Sequence, residues 1–218
     1  MSYVPSPEDK SVMYDAVRVS AILSVIGALL VIFQYLSERR EHRKLARKLV
    51  CLMSCNDFVV CVCYSMGNWL FDDSVACKIE GFIQQFVLSN VLWNACIATN
   101  MFLRIVQEKS ERVCNRFEPY YYLFSWGFPL ITCIAVLLVD GYGPALLWCW
   151  ISGRFPQLRL ICFFIPLWVI IIYHTTLMVL IVRKIVGVRS NSTTRRNEIY
   201  SLAFRGFAYT SVFYITVS

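Results

Sequence analysis

Two ionisable side chains inside long apolar segments are the residues of this chain best placed to do chemistry. Asp57 lies nine residues after Lys48, about 13 Å into an apolar run by helical rise, where a carboxylate requires a partner or water. Arg205 lies inside another apolar run, and Asn94 and Asn100 add neutral hydrogen-bonding groups in a third. We expect these residues to form an intramembrane polar network that rearranges on activation. The alternatives are that Asp57 only holds helices together and that Arg205 reaches the membrane interface through its long stem.

The sequence contains no recognisable catalytic constellation. The only histidines are His42, between apolar runs, and His174, alone inside one. There is no HExxH motif, no G-x-S-x-G motif and no pair of intramembrane aspartates. The cysteines show no metal-ligand spacing. We therefore expect a protein that is not an enzyme and that requires neither a cofactor nor a metal.

The composition indicates an integral membrane protein. Of 218 residues, 58% are hydrophobic and 16% are charged, which excludes an ordinary soluble domain and a disordered chain. The 10 cysteines lie mostly inside apolar runs, so a disulfide-stapled secreted module is excluded as well. The net charge of +7 is divided into short blocks without interleaved aromatic residues, which argues against a nucleic-acid partner. The lipid bilayer is the expected surrounding.

Six apolar segments are long enough to cross a membrane as helices. Each is a continuous run, whereas a barrel strand would alternate apolar and polar residues over about 10 positions. We therefore predict an all-α transmembrane helix bundle at residues 16–218, after an N-terminal tail at residues 1–15. The predicted spans cover approximately residues 16–36, 49–71, 77–106, 120–139, 158–186 and 199–218.

The distribution of Lys and Arg predicts the orientation. Residues 37–48, 104–116 and 183–196 carry 6, 4 and 5 of these cations, whereas the loops on the opposite side carry 5 in total. Because basic loops are retained in the cytoplasm, the N-terminal tail is expected outside the cell.

Cys77 and Cys149 both fall at the predicted outer face, where oxidation is permitted. We predict a disulfide between them; the alternative is a pair of free thiols at the membrane edge. Cys114, in the second cytoplasmic loop, is either a palmitoylation site or an ordinary reduced thiol. Pro129 and Pro166 remove backbone hydrogen bonds inside predicted spans and are expected to kink them.

Three segments resemble one known family. They are CKIEGFIQQFVLSNVLWNACIATNMFLRIV (77–106), SWGFP (125–129) and WCWI (148–151). In order and spacing they are similar to the cyclic-AMP-receptor-like family of seven-helix G-protein-coupled receptors, in particular its animal orphan branch.

The resemblance implies a plasma-membrane receptor that transmits an extracellular signal to heterotrimeric G proteins. It also implies the disulfide between Cys77 and Cys149, places Asp57 at the family's acidic position in helix two, and places Trp93 and Asn94 in the family's helix-three segment. The Asp-Arg-Tyr ending of rhodopsin-type helix three is absent, so that switch is not transferred. The residues expected to face the G protein are Arg39, Arg40, Arg43, Lys44, Arg104, Arg112, Arg183 and Lys184.

The chain departs from the family after its sixth span, because no seventh helix follows. We expect a truncated receptor, whether a fragment, an incomplete gene model or a splice form. The alternative functions are a short isoform that dimerises with the full-length receptor and a small transporter or channel. The ligand is not identified: Lys78, Arg154 and Arg159 are few cations for the phosphate of cyclic AMP.

Overall fold

The computed structural model describes residues 7–38, 44–66, 74–145 and 148–187. Within these ranges, five helical segments are long and apolar enough to cross a membrane, and we number them spans one to five. Their bounds are Ser11–Ser37, Leu45–Met66, Val75–Ile105, Glu118–Leu138 and Pro156–Val186. A mainly helical membrane bundle is therefore confirmed. The predicted sixth span, residues 199–218, lies outside the described residues.

Spans one to three consist of four α-helices. Their apolar runs are continuous, and helical hydrogen bonds pair the backbone groups within each segment. The hydrocarbon core of a membrane requires this pairing because it offers no water. Span three contains two helices because the chain turns briefly at residues 85–86. The helices are α1 (Pro7–Ser37), α2 (Leu45–Met66), α3 (Ser74–Gln84) and α4 (Val87–Ile105).

Spans four and five each contain a π-helical turn immediately before a proline. The turns are Leu123–Gly127 in span four and Leu160–Phe164 in span five, and Pro129 and Pro166 are the second residues of the helices that follow. Proline cannot donate a backbone hydrogen bond and its ring clashes with the carbonyl of the preceding turn, and a wider turn relieves both problems. The helices flanking these turns are α6 (Glu118–Tyr122), α7 (Phe128–Leu138), α8 (Pro156–Arg159) and α9 (Ile165–Gly187).

Two short elements connect the spans. Helix α5 (Glu111–Asn115) lies between spans three and four. An antiparallel hairpin of β1 (Tyr142–Pro144) and β2 (Cys149–Ile151) lies between spans four and five, with Tyr142 opposite Ile151. Because α5 and the hairpin connect opposite ends of span four, they lie at opposite ends of the bundle.

Span three is the centre of the bundle. In its most apolar window 61% of the residues are buried, compared with 11% in span one, which packs on span two and exposes most of its apolar side chains. Leu88 and Trp93 of α4 are fully enclosed. The exposed apolar side chains of span one are those expected at a lipid-facing surface.

Candidate functional site

The end of the bundle that carries the hairpin is held together by the disulfide between Cys77 and Cys149. This bond joins α3 to β2 with a Cα–Cα distance of 5.2 Å, which confirms the predicted disulfide. The hairpin lies directly on α3 at Gly81, where an added Cβ would stand 2.7 Å from Cδ1 of Tyr142. Only glycine permits this approach without displacement of the hairpin.

A buried polar cluster, formed by Glu80, Gln84 and Gln85, lies beneath the hairpin. Glu80 Oε2 accepts a hydrogen bond from the backbone N–H of Cys149 at 3.2 Å, and Glu80 is only 1% exposed. Its other carboxylate oxygen and both amide atoms of Gln84 are also buried. The Gln84 amide lies next to the Glu80 carboxylate, and no further residue of the described ranges bonds to these three atoms. Cys63 and Tyr64 of α2 lie within electrostatic range of Glu80.

Gln85 joins four elements through its side-chain amide. Its Oε1 accepts a hydrogen bond from Trp150 Nε1 of β2 at 3.0 Å, and its Nε2 donates to the carbonyl oxygen of Cys162 in span five at 3.1 Å. Nε2 also lies 3.4 Å from the hydroxyl of Thr132 in span four. Gln85 is fully buried, so span three, span four, span five and the hairpin are all held by one satisfied side chain.

Lys78 and Arg159, two of the five basic residues expected on the outer side, have local partners. Arg159 Nε donates to the carbonyl oxygen of Ile151 at 2.7 Å, and its guanidinium lies 5.4 Å from the centre of the Trp150 ring. Lys78 Nζ lies 2.7 Å from Asp140 Oδ1. Arg154 is exposed.

The side chain of Tyr142 in the hairpin also forms a hydrogen bond inside the bundle. Tyr142 donates a hydrogen bond from its hydroxyl to the carbonyl oxygen of Cys133 at 3.4 Å. Burial raises the pKa of this phenol above its usual range, so it stays protonated. Tyr142 therefore remains a hydrogen-bond donor at physiological pH.

A second polar cluster lies within the membrane, between spans two and three. Asn90 Nδ2 donates to Asp57 Oδ1, and Asn56 Nδ2 donates both to Asn90 Oδ1 at 2.6 Å and to the carbonyl oxygen of Phe86 at 3.0 Å. Among the described residues, the hydrogen-bond partner of the intramembrane carboxylate is thus an amide rather than a cation. Sequence reasoning missed Asn90, although its position four residues before Asn94 places both on one helical face.

The predicted polar network is joined only in part. Asn94 Nδ2 donates to the backbone carbonyl oxygen of Asn90 at 3.1 Å, so it lies next to the Asp57 cluster. Asn100 lies about 15 Å beyond Asn90 along the helix by helical rise. It is 1% exposed, and both of its amide atoms lack a hydrogen-bond partner within the described part of the chain. Arg205 lies outside the described residues.

At the opposite end of the bundle, an ion pair joins spans two and four. Lys48 Nζ contacts Glu118 Oε1, and the hydroxyl of Tyr122 donates to the same oxygen at 3.0 Å. The ring of Tyr122 stands edge-on to Trp93 of span three at 5.8 Å. This group therefore connects the ends of spans two, three and four next to α5.

Five of the cations expected to face a G protein are described, and all lie at this end of the bundle. Lys44, Arg112 and Arg183 are exposed and Arg104 is half-buried. Lys184 Nζ lies 3.3 Å from Glu108 Oε1. The other three predicted residues, Arg39, Arg40 and Arg43, lie outside the described residues.

Cys114 of α5 is buried rather than exposed at the surface. It is 1% exposed, although the loop around it is largely solvent-accessible. Burial raises the pKa of its thiol, with the nearby Arg104 opposing the change. A protonated, enclosed thiol is a poor nucleophile, which favours the ordinary reduced thiol over a site of acylation.

The helical arrangement has the fold of the seven-helix receptors. The whole chain superposes on 65% of squid rhodopsin with a TM-score of 0.69, at 14% sequence identity. At that identity the comparison establishes the fold alone. The protein is therefore a multi-pass membrane protein with a rhodopsin-like bundle.

The sequence comparisons assign it to a family. Residues 6–217 match the sequence model of the slime mold cyclic AMP receptor, and the chain belongs to that family. It is 28% identical over 191 residues to cyclic AMP receptor-like protein A of Dictyostelium discoideum, covering 85% of this chain and 50% of that protein. It is 27% identical over 158 residues to G-protein coupled receptor 157 of Rattus norvegicus, covering 68% and 48% respectively. The chain thus spans about half the length of these relatives, which are receptors by name.

Proposed function

We propose that this protein is a G-protein-coupled receptor of the plasma membrane, which binds a ligand at the hairpin end of the bundle and engages a heterotrimeric G protein at the opposite end. The observation that carries the proposal is the match across residues 6–217 to the slime mold cyclic AMP receptor family, and the similar proteins reported above are named as receptors.

The proposed orientation agrees with the chemistry of the two ends. The Cys77–Cys149 disulfide belongs on the oxidising, extracellular side of a plasma membrane. The exposed cations Lys44, Arg112 and Arg183 lie at the other end, as expected for cytoplasmic loops. With span one crossing once, the N-terminus is then extracellular.

The contact between Asp57 and Asn90 is the proposed intramembrane switch. A carboxylate in a membrane is costly, and an amide partner balances it less fully than a cation would. A change in the packing of spans two and three that offered Asp57 a better partner would therefore be favoured. Ligand binding at the outer end can select such a rearranged state if it binds that state more tightly.

Coupling can be tested in cells that lack endogenous Gα subunits and receive one Gα subtype at a time. The receptor is expressed from its complete coding sequence with an N-terminal epitope tag, and dissociation of Gα from Gβγ is followed by resonance energy transfer, both basally and with cyclic AMP as the first probe. Antibody binding to intact cells reports surface level and the side of the N-terminus. We expect a G-protein response with at least one subtype.

Charge reversal distinguishes the two ends. The double variant Arg112→Glu and Arg183→Glu should abolish the response, whereas Arg154→Glu at the hairpin end should leave coupling intact. A receptor that reaches the surface and remains silent with every subtype would contradict the proposed coupling. An antibody signal seen only after permeabilisation would contradict the proposed orientation.

A further inference from the structure

We propose that Glu80 and Gln84 form a recognition site for a small ligand bearing a protonated amine. The inference rests on the proposed receptor function and orientation, and it specifies the chemical class of the ligand. Glu80 lies three residues after Cys77, and Gln84 follows one helical turn later on the same face of α3. The site therefore lies just inside the outer end of span three, beneath the hairpin.

Glu80 and Gln84 have unmet hydrogen bonds. Glu80 Oε1 and both side-chain amide atoms of Gln84 are buried, and apart from each other none has a hydrogen-bond partner in the described ranges of the chain. Glu80 and Gln84 are 1% and 2% exposed, so bulk water does not supply the missing bonds. Buried polar groups in native proteins are nearly always paired, and an unpaired group is costly. One contact between Glu80 and Gln84 cannot satisfy all three atoms, and the remaining bonds indicate a partner that is not part of the described chain.

The unpaired atoms define the chemistry of that partner. The carboxylate oxygen of Glu80 and the amide oxygen of Gln84 accept hydrogen bonds, and the Gln84 amide nitrogen donates one. The groups that approach Glu80 from α2 are Cys63 and Tyr64, both neutral when protonated. A carboxylate beside one amide acceptor and one amide donor complements an ammonium group with a neighbouring acceptor atom.

The same surroundings disfavour a phosphate. Glu80 would repel it, and the backbone N–H of Cys149 already donates to Glu80. The nearby cations are engaged elsewhere: Lys78 pairs with Asp140 and Arg159 donates to the Ile151 carbonyl. A cationic ligand would instead gain the Glu80 charge in a site shielded from water.

The proposal can be tested without knowing the natural ligand, using thiol reagents of opposite charge on intact cells. Gln84→Cys is introduced into the full-length receptor and treated with aminoethyl methanethiosulfonate, a cation, or sulfonatoethyl methanethiosulfonate, an anion. Each rate is divided by the reagent's rate with glutathione to remove intrinsic reactivity. We expect the cation to react at least about tenfold faster, since a unit charge about 6 Å away acts strongly at an effective dielectric of about 20. The companion variant Glu80→Gln should abolish that preference.

The control is Gly153→Cys, at a position where an added Cβ meets nothing within 4 Å. It should react with both reagents and show no cation preference, because its neighbour Arg154 is itself an exposed cation. If it does not react, the proposed orientation is overturned together with this inference. If it reacts but Gln84→Cys does not, the site admits water only and the inference alone fails. Equal rates at position 84, or a faster anion, would also overturn it.

A second reporter covers the case in which Gln84→Cys does not reach the cell surface. The native thiol of Cys63 lies near Glu80, and its labelling in the otherwise unaltered receptor is measured against Cys63→Ser. The same cation preference, lost in Glu80→Gln, is expected. These rates require no G protein, so a silent coupling assay with a clear cation preference would count against coupling and leave the site intact.

Discussion

Replacement of Gln85 by leucine should destabilise the hairpin end of the bundle. The two side chains are similar in size, so the change removes hydrogen bonds with little change in packing. Trp150 Nε1 would lose its acceptor and the Cys162 carbonyl oxygen would lose a donor. Each hydrogen bond contributes about 1 kcal/mol, and a buried N–H left unpaired costs a further 1–3 kcal/mol or so, which gives a loss of about 2–3 kcal/mol after partial rehydration.

The assay is thermal unfolding of the purified receptor in nanodiscs, followed by fluorescence-detected size exclusion. A loss of about 2–3 kcal/mol should lower the unfolding midpoint by roughly 4–12 °C for a domain of this size. Gln157→Leu is the matched control, because Gln157 is exposed in α8. Its midpoint should shift by less than about 1 °C, since surface substitutions are nearly neutral.

A double-mutant cycle separates the hydrogen bond from general packing. Trp150→Phe removes the Nε1–H group that donates a hydrogen bond to Gln85 Oε1. Gln85→Leu should therefore lower the free energy of unfolding by less in the Trp150→Phe receptor than in the original receptor. The expected difference is about 1 kcal/mol or more. A Gln85→Leu receptor as stable as the Gln157→Leu control, or strictly additive losses, would refute the role given to Gln85.

Three further perturbations have definite expected outcomes. Lys48→Glu should lower the unfolding midpoint slightly, because a half-exposed ion pair contributes about 1 kcal/mol or less, and the double variant with Glu118→Lys should recover it; no recovery would mean that the pair is unimportant. Cys114 should react with N-ethylmaleimide more slowly than glutathione at pH 8, because burial raises its pKa and leaves less thiolate, and its rate should keep rising at pH values where that of glutathione has levelled; parallel pH profiles in peptide mapping would contradict this. Gly81→Leu should reduce surface expression by displacing Tyr142, whereas Gly27→Leu, where an added Cβ meets nothing within 4 Å, should not; equal surface staining would show that the close approach is dispensable.

The sequence was sufficient for the bundle and for the disulfide. Hydrocarbon imposes long apolar runs, so spans can be recognised without tertiary information. Cys77 and Cys149 could be paired because the expected topology places both on the same oxidising side. The short hairpin was not predicted, since its three-residue strands are defined by their packing on Gly81 and by the bond from Cys149 to Glu80.

The polar sites were only partly predictable. Asp57 is conspicuous because it interrupts an apolar run, but its contact with Asn90 depends on how span two is rotated against span three. Glu80 and Gln84 were overlooked because they stand near the start of a predicted span, where polar residues are common. Their four-residue spacing could have placed them on one face, but their burial depends on the hairpin above them.

The π-helical turns in spans four and five affect how this chain can be aligned with its relatives. Such a turn holds about one residue more than an α-helical turn, and one residue corresponds to about 100° around the helix. A relative without the turn at Leu123–Gly127 or Leu160–Phe164 would therefore require a one-residue gap there. In an ungapped alignment, positions beyond the turn would be offset by about 100° around the helix, so many core residues would pair with lipid-facing ones. Percent identity through these two helices would then understate the true similarity.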